Sequence, residues 1–242
     1  MFSNLKIIKL IEIDSTNDYA KKILRSQKKS LPFLVQTSYQ TKGRGQRNKY
    51  WNSDRNKNLL CSLAFQVRDI QIEEQFVISQ IIAVSLYKTL QEYQIDAFVK
   101  WPNDIYIKNK KIAGILIENS LISSRIESTI IGLGFNINQI NFPDELTDKA
   151  ISLKLIKEKE FDIDIFLKKW IGSLQWAFSV DKEEIKEIYH KVLYQRDKTC
   201  DYKDAKGFFK GKILGVDPSG QLILQLPNSI IKYYMNSNLQ YL

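Results

Sequence analysis

Four short segments carry the residue types from which a site for an anionic, partly planar ligand could be built. The first is KGRGQRNKYW, from Lys42 to Trp51. Its glycines, Gly43 and Gly45, accept positive φ and offer backbone amides, while Arg44, Arg47 and Lys49 supply cations. Such a loop can wrap a phosphate, although a basic turn with glycines is more often only an exposed loop. Trp51 shifts the balance, because an indole beside cations could stack on a base. The second segment is KWPNDIYIKNKKIAGILIE, residues 100–118. Lys111 opens its last strand, and the two-residue period gives Ala113, Ile115 and Ile117 the same face, so the ammonium should lie along an apolar surface and seek an anion. The plainer reading is a lysine that snorkels from a strand end. Gly114 removes a side chain from the opposite face and permits close approach of a ligand or a backbone. The third segment, IIGLGFNIN, sets Gly132, Gly134 and Asn136 on one strand face. Two glycines there make a flat floor for a planar group, or else a strand packed tightly against a helix. The fourth, DSTND at residues 14–18, reads as a helix cap.

The elements that must position these residues follow from hydrophobic period and turn chemistry. A strand is expected from about Leu5 to Ile13, then a helix capped by Asp14, Ser15 or Thr16 and running to about Gln27. PFLVQTSY and LLCSLAF are strands, with a polar, basic loop over residues 40–57 between them. A helix of period 3.6 spans about Glu73 to Tyr93, and FVKW, DIYI, KKIAGILIE and STIIGLGFNI give four more strands, the middle two joined as a hairpin by KNK. Residues 139–160 are irregular, and FLKKWIGSLQWAF and KEEIKEIYHKVL are amphipathic helices. From about Thr199 the texture changes to short strands with turns, CDYK, KGFFKGKILGV, DPSG, QLILQLP and IIKYYM. The expectation is an α+β fold: a mixed β-sheet domain with helices on one face, residues 1–195, and a small β-barrel domain, residues 196–242.

Composition narrows the function classes. The 242 residues are 44% hydrophobic, a globular share, and the N-terminal run LKIIKLIEI is too interrupted by charge for a signal peptide or membrane span. A cytoplasmic protein without a membrane partner is expected. Cys61 and Cys200 are far apart without metal-ligand spacing and are expected to be reduced and structural. His190, the single histidine, falls in a helical pattern, which argues against a serine or cysteine triad and against a histidine zinc site. A net charge of +9 could serve nucleic acid, but the lysines are dispersed along helix faces and turns, which is the pattern of a solvated surface.

Taken in order, DSTN, YQTKGRGQRNKYW, KWPNDIYIKNKKIAGILIE, GLGFNIN and a small terminal β unit ending in IIKYYMNS resemble the biotin protein ligase family over nearly the whole chain. The resemblance implies an ATP-dependent ligase of the monofunctional type, lacking an N-terminal DNA-binding domain, in which the mixed β-sheet domain is catalytic and the small C-terminal β-barrel is SH3-like. It activates biotin as biotinyl-5'-AMP and transfers it to a lysine of a biotin carboxyl carrier protein or domain. ATP and biotin are then substrates and Mg2+ the accompanying ion. Ser15, Thr16 and Gln40 match positions that bind the ureido ring, together with the backbone near Gly43. Arg44 matches the arginine bridging carboxylate and phosphate, Lys111 the essential lysine, and Gly114, Gly132 and Gly134 the close-packed pocket walls. Trp51 and Asn136 match residues near the adenine and ribose. Arg47 and Lys49 fall on the ATP side, and Lys100, Asn103 and Asp104 lie in the signature. No operator-specific DNA partner is implied, and a homodimer is compatible with the family.

Two departures stand out. The family's loop reads GRGRxGRxW, whereas this chain has Gln46, Asn48 and Lys49 where arginine, glycine and arginine stand, so Arg47 and Lys49 are expected to take over adenylate retention. The stretch YMNSNLQYL also lacks a glycine pair found in some members, and ATP contacts from the terminal unit do not carry over. Two other readings compete. A lipoate- or octanoate-protein ligase of the same superfamily is disfavoured by the polar set at Ser15, Thr16 and Gln40, which suits a urea with two N–H donors and one oxygen. A nucleic-acid-binding module would leave KWPND and the strand lysine unexplained.

Overall fold

The computed structural model describes residues 2, 4–26, 31–67, 70–122 and 125–242. Seven strands form the main sheet: β1 (Lys6–Ile13), β2 (Phe33–Gln40), β3 (Leu59–Phe65), β4 (Phe98–Lys100), β5 (Asp104–Ile107), β6 (Lys110–Ile122) and β7 (Arg125–Phe135). Their order is β1-β2-β3-β7-β6-β5-β4, with β1 and β2 parallel and the other pairs antiparallel. The parallel pair is connected through α1 (Thr16–Arg25), and the expected end near Gln27 lies outside the described residues. β3 is buried along its whole length, which is why its sequence, LLCSLAF, is a nearly continuous apolar run.

Alternation sorts the sheet residues onto two faces. Leu34, Cys61, Leu63, Ile131, Leu133 and Phe135 enter the larger core, beneath α2 (Phe76–Glu92). After the short helices α3 (Asp144–Thr147) and α4 (Leu153–Lys157), α5 (Ile163–Ser179) and α6 (Lys182–Lys191) pack against α2 on that same side. The buried Trp170 indole of α5 donates to Ser85 Oγ of α2 at 2.9 Å, so the aromatic adds core area without leaving its N–H unpaired. Phe33, Val35, Ala64 and Ile130 point the other way and pack on Ala20 of α1. The long helices thus share one face as expected, while the short α1 covers the other and brings its N-terminus to the middle of the sheet.

The remaining strands, β8 (Thr199–Asp204), β9 (Gly207–Val216), β10 (Leu222–Gln225), β11 (Ile231–Tyr234) and β12 (Gln240–Tyr241), form the expected small β unit, an antiparallel sheet in the order β11-β10-β9-β8-β12. Its buried side chains, among them Tyr202, Ile213 and Leu224, continue the larger core. The turn at Asp217–Gly220 is pinned to the main sheet by Trp101, whose indole donates to the Gly220 carbonyl at 2.9 Å. Gly220 has φ +90°, and a Cβ there would stand 2.6 Å from Phe76, so both backbone and space require glycine. Among the described residues, no helix is long and apolar enough to cross a membrane.

His190 joins α6 to β9 of the terminal sheet. Its Nε2 lies 3.1 Å from the Val216 amide nitrogen and 3.2 Å from the Val216 carbonyl oxygen, so it accepts from the amide when bare and donates to the carbonyl when protonated. Burial moves the imidazole below its ordinary 6.5; the backbone bond to Val216 opposes this, and Arg196 and Lys186 add to it. The unfolded chain therefore binds this proton more readily than the folded one. Stability from this group is fully present above about pH 6.5 and is lost as pH falls through the lower folded value. Urea unfolding as a function of pH should show that slope, and His190→Gln should flatten it. An equal slope in the variant would locate the dependence in another group.

Candidate functional site

The N-terminus of α1 meets the end of β2 through Gln40. Its Oε1 accepts from the Thr16 amide at 2.8 Å and from Thr16 Oγ1 at 3.0 Å. Ser62 of β3, on the face opposite Cys61, donates to Asn17 Oδ1 at 2.5 Å and lies 2.7 Å from Thr16 Oγ1. Ser15 caps α1 by accepting from the Asp18 amide. Neither the Gln40 amide NH2 nor the Ser15 hydroxyl hydrogen is used in these bonds, so a donor pair remains for a ligand.

Asn17 is the packing residue of this corner. Its Nδ2 donates to Glu118 at 2.8 Å and to the Leu116 carbonyl at 3.4 Å. A Cβ on Gly132 would stand 2.3 Å from Asn17 Oδ1, so this glycine admits the helix side chain. Gly114 and Gly134 are cross-strand partners, and a Cβ on either would collide with the Trp51 ring, at 2.9 and 2.3 Å. The flat floor expected from the glycines exists, but the planar group lying on it is the chain's own indole, and Gly132 serves the helix contact instead.

The loop carrying Trp51 is closed at its base. The Trp51 amide donates to the Gly43 carbonyl at 2.9 Å and the Gly45 amide to the Lys49 carbonyl at 2.6 Å. A Cβ on Gly43 would come within 2.5 Å of the Trp51 carbonyl oxygen, a backbone atom that cannot yield. Gly43 is buried and lines neither of the cavities described below; it fixes the loop base. Arg44 pairs with Asp18 and, at 3.0 Å, with Glu118, which also receives Lys21 at 2.7 Å. Burial raises the Glu118 carboxyl, but hydrogen bonds from Lys21 and Asn17 and the charges of Arg44 and Lys21 outweigh it and hold it below the usual range.

Lys111 departs from the two-residue period. The β5–β6 register shifts between Ile105 and Tyr106, and Ile112 and Ala113 both enter the large core. This bulge turns Lys111 away from the face of Ala113, Ile115 and Ile117 and onto that of Gly114 and Glu118. Its Nζ lies 2.6 Å from Asp104 Oδ1 and 5.4 Å from the centre of the Trp51 ring. The expected apolar surroundings are therefore corrected to a carboxylate and an aromatic ring face.

Two adjoining cavities gather the expected residues. A small inner one, about 50 Å³, is lined by Ser15, Thr16, Gln40, Arg44, Gly114, Gly132 and Gly134. A larger open cleft, about 1250 Å³, takes Arg47, Lys49, Lys100, Asp104 and Asn136. Trp51, Asn103 and Lys111 line both and mark the passage between them. Asn103 is fixed by its Nδ2 donating to the Ile115 carbonyl at 2.7 Å. Lys100 sits over the rings of Tyr106 and Tyr241, at 4.6 and 4.8 Å; burial lowers its pKa, with Asp104 opposing. Asn136 donates to the Ile151 carbonyl at 3.1 Å, while its Oδ1 and the Trp51 Nε1 are buried without a partner. Buried polar atoms left without a partner are uncommon in folded proteins, and both of these belong to residues that line the cleft.

Sequence reasoning missed Asn17, Asp18, Ser62 and Glu118, and also the wall that Tyr234, Asn236 and Tyr241 give to the cleft. Ser62 had a signal, a lone hydroxyl within an apolar run. Glu118 had one too, since it shares the Gly114 face by the two-residue period.

The family model described as the biotin/lipoate A/B protein ligase family matches residues 10–136. The bifunctional ligase/repressor BirA of Bacillus subtilis is 32% identical over 212 residues, which cover 83% of this chain and 64% of that protein. The biotin--[acetyl-CoA-carboxylase] ligase of Mycobacterium tuberculosis is 25% identical over 119 residues, 48% of this chain and 42% of that one. Among solved structures, the biotin protein ligase of Aquifex aeolicus in complex with biotin and ATP superposes with a TM-score of 0.81 at 25% identity, covering 98% of this chain and 99% of the other. The chain spans less than two thirds of the length of the Bacillus relative. With the family match extending over more than half of its residues, the chain belongs to the biotin/lipoate A/B protein ligase family.

Proposed function

We propose that this chain is a biotin protein ligase, which makes biotinyl-5'-AMP from biotin and ATP and transfers the biotinyl group to a lysine of a biotin carboxyl carrier domain in the cytoplasm. The observation that carries the reading is the pair of joined cavities, with an uncharged polar set at the inner end and cations in the outer cleft. In this reading Ser15, Thr16 and Gln40 hold the ureido ring, and Gly114 and Gly132 set the width of the inner pocket. Arg44 and Lys111 stand where the carboxylate meets the α-phosphate. Trp51 and Asn136 take the adenosine, and Arg47, Lys49 and Lys100 face the phosphates.

A biotin carboxylate oxygen attacks the α-phosphorus, the new P–O bond forms, and pyrophosphate departs with its electron pair. Lys111 and Arg44 hold the negative charge in place as it redistributes. Arg44 must exchange Asp18 or Glu118 for the ligand's anion, which keeps it charged and oriented beforehand. A magnesium ion arrives with nucleotide phosphates and asks for one or two carboxylates; Asp104, lining the cleft beside Lys111, fits, and the ion would offset charge on the leaving pyrophosphate. In the second step the acceptor amine attacks the anhydride carbonyl, forms the amide and expels AMP. All of these groups come from one chain. We place the domain boundary at 195/196, with the terminal unit contributing the outer wall of the cleft.

Calorimetry tests the inner pocket. Biotin should bind and lipoate should not, because lipoate would leave the Gln40 and Ser15 donors buried without a partner, about 1 to 3 kcal/mol for each group. Equal affinities would turn the assignment toward the lipoate branch of the family.

A further inference from the structure

The basic loop is tied to the terminal unit by one neutral contact. Gln46 Oε1 accepts from Asn236 Nδ2 at 2.6 Å, across 190 residues of sequence. Gln46 starts the short 3-10 turn Gln46–Asn48 at the loop tip, and Asn236 starts another, Asn236–Asn238, between β11 and β12. Both residues line the large cleft. The loop base is fixed through Gly43 and Trp51, and Arg44 is fixed on Asp18 and Glu118. Among the described side chains of the tip, the bond to Asn236 is the tether to the rest of the protein. Arg47, the next residue, has φ 55°, a left-handed conformation that a free tip has little reason to keep.

We infer that Gln46 and Asn236 form a latch that holds the loop across the cleft and slows escape of the adenylate, with Asn236 acting as a positioning residue. The inference rests on the adenylate reading of the cleft. Position 46 is where the family pattern has an arginine, so in this chain an uncharged bond between the two units does work that a cation on the loop could otherwise do. Opening the loop then means breaking a neutral hydrogen bond, which sets the size and the salt response of the effect.

The test is a double-mutant cycle on release of preformed biotinyl-adenylate, using the full chain as wild type, Gln46→Ala, Asn236→Ala and the double variant. Each single change should speed release about two- to tenfold, the range of one neutral hydrogen bond. The double variant should be no faster than the faster single one, and the ratio to wild type should stay constant between low and high salt. Single variants that release at the wild-type rate, additive effects, or a ratio that collapses with salt would overturn the latch. Deuterium exchange without any ligand gives a second arm. Asn236→Ala should accelerate exchange at the Gly45 and Lys49 amides, whose bonds close the loop, and an unchanged rate there counts against the latch. A wild type that forms no adenylate would defeat the functional reading alone, since the exchange arm still decides whether the two units are joined.

Discussion

Lys111→Ala should yield a folded protein that has lost adenylate formation by about a hundredfold or more, the effect of removing one charge contact of about 3 kcal/mol from the transition state. The fold should survive because the main chain of Lys111 is held without its side chain. Its amide donates to the Lys149 carbonyl at 2.7 Å, and its carbonyl accepts from Ile151 at 3.0 Å. The side chain, in contrast, sits at the passage between the two cavities with Asp104 as its one ion-pair partner among the described residues. Lys111→Arg should rescue poorly, since a forked guanidinium cannot occupy the space of an ammonium packed 3.0 Å from the Cβ position of Gly114. Pyrophosphate exchange reads the activity and a thermal melt reads the fold. A folded alanine variant with near-normal exchange would remove Lys111 from the mechanism.

Gly132→Ala should be strongly damaging for a change of a single methyl. The new Cβ would stand 2.3 Å from Asn17 Oδ1, and Asn17 cannot swing aside without giving up Ser62 and Glu118. Overpacking costs about 1 to 3 kcal/mol and a buried polar group left unpaired about 1 to 3 more, so a loss of about 2 to 6 kcal/mol is expected. Biotin binding should fall with it, because Asn17 follows Thr16 in the inner wall. The contrast is Gly172→Ala in α5, where an added Cβ meets nothing within 4 Å. That change should stabilise by about 0.5 to 1 kcal/mol through helix propensity. Denaturant midpoints compare the two, and equal shifts of the same sign would contradict the packing argument.

Much of this was readable from residue order. Strand alternation in IIGLGFNIN correctly put Gly132, Gly134 and Asn136 on one face, and KNK correctly joined DIYI to the following strand. The motifs also placed the inner set, because Ser15, Thr16, Gln40 and Arg44 do converge from separate segments. Three things were not legible, each for a physical reason. The bulge at Ile112 breaks the two-residue period, so counting from Ala113 placed Lys111 on the wrong face. The use of the glycine floor by Trp51 depends on how the loop folds back, and loop geometry is set by tertiary contacts such as that between Gly43 and the Trp51 carbonyl. The Gln46–Asn236 contact joins residues 190 apart and has no local pattern at all.

The central claim is that the two cavities activate biotin with ATP, and the most direct measurement is ATP–pyrophosphate exchange catalysed by the purified chain with magnesium. The account predicts exchange that requires biotin, is not supported by lipoate or octanoate, and disappears in Lys111→Ala. Exchange that proceeds equally with lipoate, or the absence of any biotin-dependent exchange in a folded wild-type protein, would contradict it.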